Sequence, residues 1–461
     1  LSVTDLTVSS RSLGIPAMAP LGLTVEHVVA MSPESGLLTL SALGVKLRDA
    51  TREIVTVTLP KPLAINLNTL TATDDGSLAV RADRFDLAVL KPFLPAEQRE
   101  QLAGGVFNSD LLLSLANQGQ LLTLSGTVGV DQLRLTQGGR ALPVLRLAKE
   151  MNLVVRDGRQ AEVKNLSFEL LRLDGAKATS LLRAQIQGLM ALPAAKTATL
   201  PASVLGGELT LAVTANGQEL GAVAAPFLDA DLDLGKTALT YQATLKVGAE
   251  AKTLDADGTL TVSDLTVASK KLGIAALPPL GLSVKHGVAV APEAGTLNLR
   301  TLAVNLRDAS REIVSVTLSK PLALNLNQLD AGGDGDLALR VNDFDLTMLK
   351  PVMPEAQRNM IQAGKFSATY DLGFKGGLKQ VTLAGQSTLA GLRVDLDGKV
   401  LPTLTEEQTL AITVTDLKQV AIREAVTRLL VRAGGGAPVE ALKITTSGNL
   451  TLAPALGGEL K

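Results

Sequence analysis

Aliphatic residues fall at every second position along much of this chain. Leu38 and Leu40 are followed by Leu43, Val45 and Leu47, then by Val55, Val57 and Leu59, with small or polar residues between them. Leu63, Ile65 and Leu67, then Leu78 and Val80, and later Leu122, Leu124, Val128 and Val130 continue the pattern. Side chains of an extended strand point alternately to opposite faces, so a period of two predicts strands with one apolar and one polar face. Turn formers separate the runs at short intervals: Pro33-Glu34-Ser35-Gly36, Pro60-Lys61-Pro62, Asp74-Asp75-Gly76, Asn117-Gln118-Gly119, Gln137-Gly138-Gly139 and Asp157-Gly158. Many short strands joined by tight turns predict an antiparallel meander.

The pattern is written twice. Residues 1–8 return at 260–267, and Leu47-Arg48-Asp49-Ala50 returns as Leu306-Arg307-Asp308-Ala309, both at an offset of 259. The same offset maps Phe85 to Phe344, Pro92 to Pro351, Gly126 to Gly385 and Pro143 to Pro402, and 45 of the first 70 positions are identical. This predicts a first copy over 1–210, connecting strands over 211–259 that complete the module, and a second copy over 260–461. Leu1 falls inside an alternating run and no window of about 18 apolar residues is present, so the chain reads as a non-spanning piece of a longer array.

Helices are few. Pro95 opens a helical run that ends at Gly104-Gly105, and Pro354 opens one that ends at Gly364; proline at the start and glycine at the end give the boundaries a geometric cause. A weaker helical stretch is expected over 177–189, without a good cap.

Composition excludes several chemistries. With 44 Lys and Arg against 45 Asp and Glu, and only eight Phe and two Tyr, there is neither a basic footprint nor a stacking platform for nucleic acid. The absence of cysteine removes disulfides, thiolate metal sites and thiol nucleophiles. His27 and His286 occupy equivalent positions, one per copy, and read as surface or turn residues. Arg48-Asp49-Ala50-Thr51-Arg52-Glu53 recurs as Arg307-Asp308-Ala309-Ser310-Arg311-Glu312 and reads as a charged connection between strands, with a head-group or partner contact as the functional alternative. Asp74-Asp75-Gly76 and Asp334-Gly335-Asp336 lack the spacing of a calcium loop. No catalytic constellation, metal site or cofactor site is expected.

An apolar strand face with so few helices to cover it leaves three outcomes: a closed sandwich or solenoid core, a barrel, or an open groove that accepts an apolar guest. Phe85-Asp86-Leu87-Ala88-Val89-Leu90-Lys91-Pro92-Phe93-Leu94-Pro95, then Gly104-Gly105-Val106-Phe107 and Leu124-Ser125-Gly126-Thr127-Val128, resembles a segment recurrent in bacterial AsmA-like proteins. Phe344-Asp345-Leu346-Thr347-Met348-Leu349-Lys350-Pro351 and Gly364-Lys365-Phe366 carry the same resemblance in the second copy. It implies a mainly β fold, an elongated antiparallel meander curled into a U-shaped apolar groove. It further implies a bridge-like lipid-transfer role between the inner and outer membranes of a bacterial envelope. The protein would be periplasmic, tethered to the inner membrane by a segment outside this chain, with phospholipid as cargo, membrane-embedded partners at its ends and no enzymatic activity. The competing reading is a tandem β-sandwich or β-solenoid array, structural or adhesive, with closed cores. Candidate groove residues are the alternating aliphatics: Leu38, Leu40, Leu63, Ile65, Leu67, Leu78 and Val80 in the first copy. Their counterparts are Leu297, Leu299, Leu322, Leu324, Leu326, Leu337 and Leu339 in the second.

Overall fold

A computed structural model describes residues 1–6, 20–68, 71–192, 206–228, 233–248, 252–270, 274, 276, 278–309, 311–327, 330–331, 333–354, 357–376, 379–396, 398–434, 436–451 and 457–460. The fold is mainly β, 74% strand and 7% helix, an open antiparallel meander. Two compact units divide it: residues 1–229 with 246–251, and residues 230–245 with 252–461.

In the first unit the strands Ser2–Leu6, Leu21–Ser32, Leu37–Arg48, Glu53–Lys61, Gly76–Asp86 and Leu102–Ala116 pair each with the next. Leu121–Gln137, Val144–Arg156, Gln160–Asp174, Lys177–Ala191 and Gly206–Asn216 continue the same order. The second unit repeats the plan from Leu254–Leu265 to Gly457–Leu460. Antiparallel neighbours joined by tight turns are what the alternation and its turn formers predict.

Bulges explain where the alternation skips a beat. Val28 pairs with Ala42 but Val29 with Leu40, so one extra residue in the second strand of this pair keeps Leu40 on the same face as Leu43 and Val45. The same slip lies between Gly287 and Val288 against Thr301 and Leu299. Pro60-Lys61-Pro62 is not a reversal: Glu53–Lys61 and Leu63–Asn66 both pair with Leu37–Arg48, one with each half, so the prolines make a jog. Proline lacks the N–H that an uninterrupted ladder would need.

The helix expectations need correction. The first helix is short, Ala96–Gln101, and Gly104 and Gly105 lie inside the following strand. A Cβ on Gly105 would meet Leu87 Cδ1 at 3.1 Å, so glycine lets a preceding 3₁₀ helix, Leu87–Phe93, lie close against the strand. Asp86 caps that 3₁₀ helix by accepting from the Ala88 N–H at 2.8 Å. In the second copy residue 357 is 3₁₀ and residues 358–360 form a turn before the strand Ile361–Lys375, and Glu355 and Ala356 lie outside the described residues. Residues 177–191 are strand, because Leu182, Ala184 and Ile186 face apolar partners at a period of two. A helix over Gly217–Leu228 was not foreseen.

The units carry little fully buried core. The accessible surface is 26820 Å² for 47.8 kDa. Two separate compact globules of half that mass would expose roughly 20,000 Å² together. Sheet faces with no second layer among the described residues contribute to this excess.

Candidate functional site

Cross-strand partners in a ladder share a face, so the register can be followed from strand to strand. In the first unit Val25 pairs with Val45, Val45 with Val57, Val57 with Val80 and Val80 with Leu111. The row runs on through Gly126, Met151, Leu166, Ile186 and Leu211. Ten strands thus contribute nine apolar side chains and one glycine, and every member is half-buried. One residue along, on the other face, the row reads Thr24, Lys46, Thr56, Arg81, Asp110, Thr127, Glu150, Ser167, Gln185 and Ala212. A residue in a sandwich core would be fully buried; these valines and leucines have one another as neighbours and no second sheet above them among the described residues.

The second unit has the same two faces. Leu260, Val284, Val304, Val316, Leu339, Tyr370, Gly385, Leu410, Ala425 and Thr446 form one row. Thr261, Ser283, Asn305, Ser315, Arg340, Thr369, Gln386 and Thr409 lie on the opposite face.

Most sequence-predicted candidates fall on the aliphatic faces. Leu38 pairs with Ile65 and Leu40 with Leu63, while Leu78 pairs with Leu113 and Val80 sits in the row. Leu297 pairs with Leu324, Leu299 with Leu322, Leu337 with Leu372, and Leu339 sits in the second row. Leu67 and Leu326 lie just past their strands, 39% and 42% exposed, their N–H groups donating to the Gly36 and Gly295 carbonyls.

Polar residues interrupt the aliphatic face at few places, and sequence reading missed them. Lys149 pairs with Val128 and Phe168, between Leu147 and Met151 on its own strand, and makes no ion pair among the described residues. Arg172, opposite Leu145, is paired with Glu219 of the helix Gly217–Leu228 at 2.5 Å and with Asp174 on its own strand at 2.8 Å. At the positions equivalent to Leu111, Val128, Leu147, Lys149 and Phe168, the second copy carries Tyr370, Ser387, Glu406, Gln408 and Thr427. The Tyr370 hydroxyl lies 3.0 Å from Ser387 Oγ and 3.4 Å from Gln408 Oε1. Leu147-Ala148-Lys149-Glu150-Met151 keeps the period of two, which is the signal that would have placed Lys149.

His27 is exposed in mid-strand rather than in a turn, and its mate His286 is half-buried with Nε2 3.0 Å from the Tyr241 hydroxyl and the two rings stacked. Among the described residues no three His, Asp or Glu side chains are placed to hold a metal ion.

The repeated charged block is a strand connection. Asp49 accepts from the Thr51 N–H at 2.7 Å, the Thr51 hydroxyl at 2.8 Å and the Arg52 N–H at 2.9 Å. These donors, the Thr51 N–H foremost, hold its carboxyl below the ordinary range. Arg52 reaches the Arg84 carbonyl at 2.6 Å, and Arg311 reaches the equivalent Asp343 carbonyl at 2.7 Å. Arg84 and Asp343 both have positive φ, so each arginine ties the loop to a break in the neighbouring strand.

No protein-family model, curated protein or solved structure matches this chain.

Proposed function

We propose that this chain is a segment of a lipid-transfer conduit of AsmA-like type, carrying phospholipid acyl chains on its aliphatic sheet faces between the inner and outer membranes. The observation that carries the reading is the half-exposed aliphatic row that crosses ten strands in the first unit and recurs in the second. With strands about 4.8 Å apart, nine steps make a track of about 43 Å, against roughly 15 Å of hydrocarbon in one leaflet. Moving a sixteen-carbon chain through water costs about 12 kcal/mol at about 0.8 kcal/mol per methylene, so a conduit is useful only where the track stays apolar. Its periplasmic place and inner-membrane tether follow from the resemblance of the Phe85–Pro95 segment. A closed structural array would bury these rows, and their half-exposure favours the open reading.

The test is mass spectrometry of lipids that co-purify in detergent-free buffer, beside Val80→Asp and Leu339→Asp. Stoichiometric phospholipid in the wild type, reduced in folded variants, is expected. Folded wild-type protein that carries no lipid and resists loading from vesicles would overturn the proposal.

A further inference from the structure

We propose that Lys149 is a head-group anchor that makes the first unit's aliphatic face prefer acidic phospholipids, while the second unit's face disfavours them; the inference rests on the acyl-binding reading above. Charge on the first face is sparse. Among its described strand residues Arg172 is already paired with Glu219 and Asp174, and Lys177, at the end of its hairpin, stands directly opposite the acid Asp174, which leaves Lys149 as the ammonium with no acid beside it in the register. Its cross-strand neighbours Val128 and Phe168 and its strand neighbours Leu147 and Met151 offer no anion. The acids nearest in sequence and register, Glu150 and Glu169, belong to the polar face. Lys149 is exposed, so its flexible stem follows apolar surface while the ammonium stays hydrated. An acyl chain laid on this face brings its own phosphate to the same boundary between apolar contact and water, where an unpaired cation favours a net-negative head over a zwitterionic one.

The second copy reverses the charge. Glu406 and Gln408 replace Leu147 and Lys149, and Glu406 faces Leu389 and Leu429 on the aliphatic side. The acid repels the head that the lysine attracts. The tandem copies are therefore unequal in charge around this matched station, with attraction in one unit and repulsion in the other.

The experiment loads the full chain from vesicles of equal phosphatidylglycerol and phosphatidylcholine with matched acyl chains, re-isolates the protein and measures both lipids by mass spectrometry. The wild type should be enriched in phosphatidylglycerol, and Lys149→Gln should lower the ratio about two- to fivefold, the range for one partly exposed charge pair, with total lipid retained. Lys149→Glu should lower it further, and Glu406→Gln should raise it. An unchanged ratio in Lys149→Gln with normal total loading would overturn the anchor while leaving the acyl-binding reading intact. A wild type that loads neither lipid would overturn both.

Discussion

Gly126 offers a test of the register itself. It sits in the aliphatic row with φ of 140°, and a Cβ there would lie 1.9 Å from the Asp110 carbonyl oxygen and 2.9 Å from Leu111 Cα. Ordinary contact begins near 3.4 Å, so Gly126→Ala must push the strands Leu102–Ala116 and Leu121–Gln137 about 1.5 Å apart or break a ladder bond. Backbone strain of about 1–3 kcal/mol and a lost hydrogen bond worth about 1 kcal/mol together predict a loss of roughly 2–4 kcal/mol. For a unit of this size that corresponds to a fall in melting temperature of roughly 5–15 °C. The comparison variant is Gly158→Ala, at a turn with φ of 61° and nothing within 4 Å of the added methyl. It should cost only the left-handed backbone, about 1–2 kcal/mol. Thermal unfolding with hydrogen exchange reads both: Gly126→Ala should unprotect the two named strands, and Gly158→Ala should not. If Gly126→Ala were no more destabilising than Gly158→Ala, the pairing of Leu111 with Gly126 would be wrong and the row with it.

Other consequences are as direct. Glu219→Ala removes one of the two carboxylates that hold Arg172 and leaves it with the more exposed Asp174 alone; chemical denaturation should show a loss of about 1–2 kcal/mol, below the range for breaking a fully buried pair. Arg52→Ala and Arg311→Ala each free a loop from the neighbouring strand, and hydrogen exchange should rise at residues 49–53 or at 308–309 and 311–312 with a global loss of about 1 kcal/mol. Because the folded Asp49 carboxyl is held below its ordinary value near 3.8, its contribution is present above that pH and disappears as pH falls through the lower folded value. The acid limb of a stability-against-pH curve should therefore flatten in Asp49→Asn.

The alternation in the sequence made the strands and their aliphatic face legible, because a period of two maps directly onto the faces of a sheet. Leu38, Leu40, Leu43 and Val45 could be placed together only once the bulge after Leu40 was known, since one extra residue inverts every later side chain. Glycine misled at Gly104-Gly105, which lie in the following strand, Gly105 serving the close packing of Leu87, instead of ending the helix that Pro95 opens. The helix Gly217–Leu228 was missed because Gly217 and Gly221 weaken its local signal, while its anchor, Arg172, lies 47 positions before Glu219. Lys149 was passed over among 44 cations because its isolation is a property of its cross-strand neighbours, which no local window contains.

The central claim is that lipid lies on one face of the sheet and not on the other. The chain has no cysteine, so single cysteines at Val57 and at adjacent Thr56, which point to opposite faces of the same strand, can each carry a photo-crosslinker. After loading from phospholipid vesicles and irradiation, the account predicts acyl adducts from position 57 and few from position 56. Equal adducts from both positions, or none from position 57 in a folded, labelled protein, would contradict it.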